Sequence, residues 1–394
     1  MSRLAKQNLK ISYSDQKLPN ETIKSIFLAG PTPRSKNVKT WRNEAIDILK
    51  EMKYDGNVFI PEPSTGEFKH SYDDQIEWEL AAMNRADIIV FWIPREMRSD
   101  FEMIGMTTNV EFGSWITSGK VVFGYPKEAE KMRYLEFLAK QNNVNSYSTL
   151  KETLEEAVNK IGEGSYRKDG EVEVPLYIWN TPSFQNWYSA QTEAGNVLEH
   201  AKLLFNARSG LNKDNVFFWI LWVDVFITKE NRNKVIEFVA SRSNATAICL
   251  YKKEQDIMNT SIILVKEFRS PASTKDGYVW ELPGGSSENE EENRIVVAIN
   301  ELEEEVEFKI NKNRMKFIQQ RQVNETLLAN QVALFSAELT QEELDWFKTQ
   351  KGIAKGNIED TERTFTEVVT LKNILEQELV DWLNVGMIMK ALNS

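Results

Sequence analysis

The sequence predicts an α/β domain built on a parallel sheet, followed by a domain of the α+β class. In the first third of the chain, short apolar strands alternate with segments of helical periodicity, which is typical of a parallel sheet wrapped by helices. In the second half, several β-segments surround one amphipathic helix that is rich in glutamate. A length of 394 residues is sufficient for two such domains.

The elements of the first part follow one another regularly after a polar stretch at residues 1–23, which forms either an extension or an edge strand. We expect ligands at the carboxyl ends of the strands, where folds of this class bind them. The expected strands are 26–31, 57–63, 86–93 and 121–125, and the expected helices are 39–52, 72–84 and 109–118.

The second part begins after a change in pattern. Residues 127–174 lose the alternation and are predicted to be a helical connector, and from 175 to 394 the chain is again strand-like and aromatic. The stretch 179–187 is predicted to be a polar-aromatic loop that either stacks a nucleobase or covers a sheet. The expected β-segments are 217–227, 245–251, 261–268 and 332–339, and Thr340 begins a capped helix.

Composition limits the classes of function. Hydrophobic residues make up 41% of the chain, which is ample for packed cores. A net charge of -11 argues against broad nucleic-acid binding, although a metal can bridge acidic residues to a phosphorylated small molecule. One cysteine and two histidines give no support to a disulfide framework, a thiolate zinc cluster or histidine-based catalysis. With no signal peptide or membrane-spanning run evident, we expect a cytoplasmic protein without a membrane partner.

Candidate catalytic residues in the first part lie near predicted strand ends. Gly30 permits close approach of the backbone to a ligand beside Pro31, although such a pair by itself is more often a turn. Glu111 lies near a helix start, where backbone N–H groups favour an ionised carboxylate that can attack an anomeric carbon. A second acid must protonate the leaving base, and Glu79 and Asp87 are the candidates.

These residues, in this order, resemble the nucleoside 2-deoxyribosyltransferase superfamily over residues 24–126. The stretch Asn-Val-Glu-Phe-Gly at 109–113 places Glu111 on the family nucleophile, and Glu79 falls near a base-contacting acid. The resemblance implies a flavodoxin-like fold, retaining N-glycosidic exchange or hydrolysis, and a homo-oligomer. The substrate contacts expected from it are Gly30, Pro31, Asp87 and Asn109.

The chain departs from this family at one acidic position. An aspartate often found six residues before the nucleophile is replaced by Gly105. Asp100, in the preceding loop, is the candidate substitute. Transfer between ordinary deoxynucleosides is therefore one of several outcomes that the resemblance allows.

A second group of candidates lies on the glutamate-rich helix. The turn Trp-Glu-Leu-Pro-Gly-Gly at 280–285 is followed by Glu292 and by a helix that carries Glu301, Glu304 and Glu305 on one face. Carboxylates crowded in this way repel one another unless a cation lies between them, and oxygen ligands suit Mg²⁺ or Mn²⁺. A solvated acidic helix is the alternative interpretation.

This pattern resembles the Nudix box, in which the glutamates hold metal against a diphosphate. The spacing from Gly285 to Glu292 is one residue longer than in the consensus, Asn300 stands at the arginine position, and Glu307 replaces the final glycine. The resemblance implies that Glu304 and Glu305 hold metal, with Glu301 as ligand or base.

The segment before the glycine turn is similar to that of ADP-ribose and sugar-nucleotide pyrophosphatases within the Nudix superfamily. It places Arg269 and Glu281 beside the substrate. For Arg269, pairing with a nearby acid or a surface salt bridge is the alternative role, and for Glu281 it is contact with an adjacent strand.

Together the two resemblances predict a bifunctional enzyme that acts on nucleosides or nucleotides. The first domain would break or transfer an N-glycosidic bond, and the second would hydrolyse a diphosphate linkage in an ADP-ribose-like or NAD-like substrate with Mg²⁺ or Mn²⁺. Two alternatives remain open. The second domain is a nucleotide sensor that regulates the first, or both domains form a binding scaffold without turnover.

Overall fold

The computed structural model of the protein describes residues 9–33, 38–66, 71–97, 103–209, 215–286, 294–355 and 363–394. The chain divides into two units, Met1–Ala240 and Ser241–Ser394. Within the described residues, no helix combines the length and the apolar character needed to cross a membrane.

The predicted parallel sheet lies in the first unit. Its strands are β1 (Lys10–Tyr13), β3 (Ser25–Ala29), β4 (Asn57–Ile60), β5 (Ile88–Trp92), β6 (Val121–Gly124) and β7 (Ser146–Tyr147), and a separate antiparallel pair joins β2 (Glu21–Thr22) to β8 (Arg167–Lys168). The sheet order is β1–β4–β3–β5–β6–β7, with every neighbouring pair parallel. Strand β1 is thus an edge strand formed by the predicted N-terminal extension.

Helices cover this sheet and explain why its central strands are apolar throughout. They are α1 (Arg42–Glu51), α2 (Tyr72–Arg85), α3 (Met106–Trp115), α4 (Arg133–Gln141) and α5 (Leu150–Ile161). All residues of β3 and β5 are buried, as expected for a parallel sheet with helices on both faces. The chain leaves β3 for β4 on one side and later enters β5 on the other, which opens a crevice at the carboxyl ends of β3 and β5.

The structure contradicts the prediction that residues 127–174 form a separate connector. Strand β7 extends the parallel sheet, and α5 packs against β5 and β6. Leu154 and Ala157 of α5 are buried because they belong to the core of the first unit. The predicted boundary at residue 175 is also displaced, since the two units divide at 240/241.

The predicted loop at 179–187 is largely helical. It spans α6 (Leu176–Trp179) and the start of α7 (Pro182–Glu193), which Thr181 caps through the N–H of Phe184. These helices precede β9 (Val197–Ser209), β10 (Asn215–Ile227) and β11 (Arg232–Arg242), a sheet in the order β11–β10–β9. Phe184 is buried against Trp179 and Trp219. This packing matches the interpretation in which the stretch covers a sheet, and not the one in which it stacks a nucleobase.

The second unit is the expected α+β domain. Its strands are β12 (Ala245–Lys252), β13 (Ser261–Phe268), β14 (Tyr278–Glu281), β15 (Lys316–Gln322), β16 (Gln331–Glu338), β17 (Ala354–Lys355) and β18 (Thr364–Thr370), and its helices are α8 (Arg294–Val306), α9 (Gln341–Thr349), α10 (Leu371–Glu376) and α11 (Trp382–Leu392). The strand order is β15–β16–β12–β13–β18–β17, with β14 beside β13, and β12 with β16 is the parallel pair. Helices α8 and α9 pack on one face and α10 and α11 on the other.

The residue that follows helix α8 has unfavourable backbone geometry. Glu307 has φ 53°, a left-handed conformation that favours glycine, at the position where the Nudix consensus has glycine. The end of the helix is held by Lys355, whose Nζ donates to the Val306 carbonyl at 2.7 Å, and by Thr364, whose hydroxyl donates to the Glu305 carbonyl at 3.1 Å. These two bonds satisfy carbonyls that the helix itself leaves unpaired.

We expect Glu307→Gly to raise the free energy of unfolding of the second unit by about 0.5 kcal/mol. Relief of the left-handed strain, about 1–2 kcal/mol, exceeds two costs: the extra chain entropy that glycine brings to the unfolded state, and the loss of the ion pair between the largely exposed Glu307 carboxylate and Lys355, whose Nζ keeps its bond to the Val306 carbonyl. Urea unfolding measures the difference. The matched control is Glu303→Gly, within the same helix, which should lower stability by about 1 kcal/mol. Equal effects of the two glycines would contradict the strain at Glu307.

Candidate functional sites

The first candidate site lies in the crevice at the carboxyl ends of β3 and β5. Gly30 follows β3 with φ 150°, and a Cβ atom there would lie 2.1 Å from the carbonyl oxygen of Trp92. Gly105, which precedes α3, has φ 64°, and a Cβ atom there would lie 2.9 Å from Cγ of Pro31. The backbone therefore needs glycine at both positions, which explains why no aspartate stands at 105.

A buried arginine organises the loop after β3. The guanidinium of Arg42 donates from Nε to the Leu28 carbonyl at 3.0 Å and from Nη2 to the Gly30 carbonyl at 2.8 Å. It also donates to the hydroxyl of Thr32 and forms an ion pair with Glu62. Arg42 thus fixes the strand end that borders the crevice. The sequence analysis did not single out Arg42. Its position gave a signal, because Arg42 lies on the same helix face as the buried Ala45 and Leu49, three and seven residues later.

Two carboxyl groups meet in this crevice. The carboxyl groups of Glu79 on α2 and Glu111 on α3 lie close enough to affect each other's pKa, and Gln75 Nε2 donates to Oε1 of Glu79 at 2.7 Å. Burial raises the pKa of Glu111 to about 7, the charge of Glu79 raises it further, and the charge of Arg42 opposes both. Burial also raises the pKa of Glu79. The raised pKa of Glu111 therefore favours one proton between the two carboxyl groups up to about pH 7.

Asn109 lies on the same helix as Glu111, but its side chain is engaged by the protein. Its Oδ1 accepts a hydrogen bond from Nη2 of Arg95, a buried residue just after β5. This bond ties the first turn of α3 to the end of β5. The predicted contact between Asn109 and substrate stays a prediction, and Asp100 lies outside the described residues.

Asp87 does not join this site, which contradicts its predicted roles as proton donor and substrate contact. It precedes β5 and therefore lies at the amino edge of the sheet, about 16 Å of strand away from the crevice. Its carboxylate accepts from Nη2 of Arg167 at 2.8 Å and from the Ser25 N–H at 2.9 Å, and both charged side chains are buried. Asp87 is therefore part of a structural ion pair.

The second candidate site lies where the glycine turn meets α8. Gly284 has φ 155°, and its N–H donates to Oε2 of Glu305 at 2.8 Å. A Cβ atom on Gly285 would lie 2.3 Å from Oε2 of Glu301. The turn therefore packs directly on two of the three predicted glutamates.

The acidic cluster at this site differs from the predicted one. Burial raises the pKa of Glu305 to about 8, with further contributions from Glu301, Glu281 and Glu267 and an opposing one from the Gly284 N–H. Glu304 is exposed and is not among the charges that raise the pKa of Glu305. Glu267 of β13 and Glu281 of β14 thus act on Glu305, where Glu304 was expected to do so. Metal binding by Glu304 stays a prediction.

Arg269 pairs with the same strand acids. Its Nη2 lies 2.7 Å from Oε2 of Glu267 and 2.8 Å from Oε1 of Glu281. This arrangement matches the alternative in which Arg269 pairs with a nearby acid. Contacts of Arg269 and Glu281 with substrate stay predictions.

The donors around α8 have the chemistry that a hard divalent cation requires. Within the described residues, no three histidine, cysteine or acidic side chains already stand in a metal-holding arrangement, and Glu292 lies outside them. The carboxylates of Glu301 and Glu305 nonetheless converge on the glycine turn, and their mutual repulsion is of the kind that a cation relieves. These carboxylate oxygens are therefore ligands of the type that Mg²⁺ and Mn²⁺ prefer.

Comparison with known proteins identifies the class of the domain at residues 23–129. Residues 23–129 match a family described as "Nucleoside 2-deoxyribosyltransferase like", and they form a domain of that kind. The match confirms the resemblance seen in the sequence, includes Glu79 and Glu111, and supports a role in nucleotide metabolism. It covers well under half of the chain.

The other comparisons are weaker. No curated protein matches the chain. A solved structure described as an ADP compounds hydrolase is similar at 15% identity over 50% of this chain and 92% of that one, with a TM-score of 0.34. A score this low does not establish a shared fold. The likeness of the second unit to Nudix proteins therefore rests on its glycine turn and glutamate helix.

We expect Arg42→Met to lower the free energy of unfolding by about 3–5 kcal/mol, because it leaves Glu62 and two strand-end carbonyls without their buried partner. Arg42→Lys should cost less, since it keeps the charge but loses the planar fork. Urea unfolding measures both. Lys50→Met, on the exposed side of α1, is the control and should change stability by less than about 0.5 kcal/mol.

The carboxyl pair should also make stability depend on pH. Because the folded-state pKa of Glu111 is raised from 4.5 to about 7, the folded protein binds the proton more tightly, and stability should fall as pH rises from 4.5 to about 7. Glu79→Gln removes the charge that raises this pKa and should make the fall shallower by on the order of 1 kcal/mol. Urea unfolding of both proteins between about pH 5 and pH 8 gives the comparison. Parallel curves for the two proteins would rule out the coupling.

Proposed function

We propose that the chain is a bifunctional enzyme of nucleotide metabolism. The first site cleaves or transfers an N-glycosidic bond, and the second hydrolyses a diphosphate linkage in an ADP-ribose-like or NAD-like compound. The observation that carries the proposal is the pair of interacting carboxyl groups of Glu79 and Glu111 in the crevice of a nucleoside 2-deoxyribosyltransferase-like domain.

The shared proton gives the two carboxyl groups different tasks. When the proton is on Glu79, Glu111 is ionised and can form a bond to the anomeric carbon as the bond to the base nitrogen breaks. Glu79 then gives its proton to the leaving base. Water or an acceptor hydroxyl attacks the resulting ester and returns a proton to Glu79, which restores the pair. Arg42 supports the ionised form of Glu111 through its positive charge.

In the second site, the residues of the chain bind and orient. Glu301 and Glu305 would hold the divalent cation, and the Gly284 N–H fixes the carboxylate of Glu305. Glu304 and Arg269 would complete contacts to metal and diphosphate after rearranging from their present positions. Mg²⁺ or Mn²⁺, when bound, supplies the positive charge that a diphosphate linkage needs in order to be attacked.

One observation favours a regulatory role for the second unit. Arg269 already pairs with Glu267 and Glu281, and the chain lacks the arginine and the last glycine of the Nudix box. A unit of this kind would bind a nucleotide without cleaving it and would regulate the first site.

The test is incubation of the full chain with nucleosides, NAD and ADP-ribose, with and without Mg²⁺, followed by mass spectrometry. We expect metal-independent release of free base and Mg²⁺-dependent formation of AMP. Glu111→Gln, which keeps the size of the side chain, should slow base release by about a thousandfold or more and leave AMP formation intact. Glu301→Gln should do the reverse.

The outcomes separate the candidate functions. Base release that survives in Glu111→Gln would refute the assignment of the nucleophile. Nucleotide binding without AMP formation would establish the regulatory role of the second unit. If no compound is turned over with metal present, the result would refute both activities and favour the alternative in which both domains form a binding scaffold.

A further inference from the structure

The first unit contains a large open cavity that is separate from the crevice. Its volume is about 1360 Å³, which exceeds the about 300–1,000 Å³ of most small-molecule pockets. Gly119, just before β6, and Val121, the first residue of β6, line it, whereas Glu79 and Glu111 do not. The cavity therefore adjoins the amino end of β6, while the crevice lies at the carboxyl ends of β3 and β5.

Arg208 of β9 lines this cavity and is held in place by its neighbours. The central carbon of its guanidinium lies 4.1 Å from the ring centre of Tyr177, whose hydroxyl donates to the Ser118 carbonyl at 2.5 Å. A Cβ atom on Gly119 would lie 2.3 Å from Nη2 of Arg208, so the guanidinium occupies space that only glycine leaves free. The positive charge therefore has a fixed position at the cavity wall.

The charge of Arg208 is not neutralised by an acid. Among the residues that the structure describes, no carboxylate forms an ion pair with it, and its buried Nη2 has no hydrogen-bond partner. Its Nε donates at 3.4 Å to Oδ1 of Asn206, which is a neutral amide. Removing a cation from water costs free energy unless an anion meets it. An anionic ligand in the cavity would meet this requirement.

Neutral amides form much of the remaining wall. The side chains of Gln141, Asn143 and Asn159 are exposed at the cavity, and none of them is hydrogen-bonded to another described residue. An amide both donates and accepts hydrogen bonds, so these three can bind hydroxyl groups or ring nitrogens. An apolar ligand would instead remove them from water without replacing those bonds. The wall therefore favours a polar ligand.

We propose that this cavity binds a small phosphate ester whose other groups form hydrogen bonds, which is the chemistry shared by sugar phosphates and nucleotides. Arg208 provides the positive charge for the phosphate, because a guanidinium and a phosphate form strong charge-assisted hydrogen bonds. The amides contact the rest of the ligand. This binding site goes beyond the two reactions proposed above and does not depend on either of them.

The balance of charge around the cavity is consistent with an anionic ligand. Three basic residues line it, against two acidic ones, so the net charge of its wall is +1; they are Lys140, Lys160 and Arg208, and Glu136 and Glu156. The carboxylate of Glu136 is engaged by the hydroxyl of Tyr125. A phosphate ester offers three acceptor oxygens, which suits a wall with several donors.

Calorimetric titration of the full chain tests the proposal, with EDTA present to remove divalent metal. The probes are inorganic phosphate, ribose 5-phosphate and AMP, with ribose and adenosine as matched compounds without phosphate. We expect at least one of the two esters to bind about tenfold more tightly than inorganic phosphate and than its own unphosphorylated form. The ester that binds more tightly distinguishes a sugar phosphate from a nucleotide. If neither ester binds, or if inorganic phosphate binds as tightly as both, the proposal is wrong.

Arg208→Gln should weaken binding of the ester by about tenfold or more, because it removes the fixed positive charge. The control is Arg133→Gln, the same change at an exposed position of α4 that does not line the cavity, and it should leave the affinity unchanged.

Asn159→Glu guards against loss of folding as the cause. Asn159 is exposed on α5, so the variant should fold normally, but its negative charge at the wall should also weaken binding by about tenfold. Asn20→Glu, at an exposed position that does not line the cavity, is its control. Full affinity in both Arg208→Gln and Asn159→Glu would overturn the proposal. Loss of binding in Glu111→Gln would also overturn it, because the ligand would then lie in the crevice.

Discussion

The first site depends on the buried guanidinium of Arg42. A charge without water must be paired, and Arg42 meets this requirement with the ion pair to Glu62 and with two carbonyls at the end of β3. The same bonds fix the loop at Gly30, and the positive charge reaches Glu111. One residue therefore couples the stability of the strand end to the electrostatics of the crevice.

The two candidate sites respond differently to crowded carboxylates. In the first, Glu79 and Glu111 relieve their repulsion by sharing a proton, which suits acid–base and nucleophilic chemistry without metal. In the second, Glu305 is surrounded by three further acids, and one N–H together with Arg269 balances only part of their charge. That remaining negative charge is the physical reason to expect a cation at α8.

The sequence interpretation was wrong at one strand end and at one helix, for different reasons. Asp87 stands at the start of β5, and this position alone indicates the amino edge of the sheet, away from the crevice. The partner of Asp87, by contrast, is Arg167, eighty residues later. The 182–193 helix was missed because its aromatic residues suggested a loop, whereas packing on Trp219 makes them core residues.

The sequence by itself determined the alternating elements of the parallel sheet, the glycine turns, and the positions of Glu111, Glu301 and Glu305 on their helices. These features follow from local periodicity and backbone conformation, which neighbouring residues fix. The tertiary structure decided that Glu79 meets Glu111 and that strand acids surround Glu305. Such partners come from separate elements, so only packing, which brings distant residues together and removes their water, selects them.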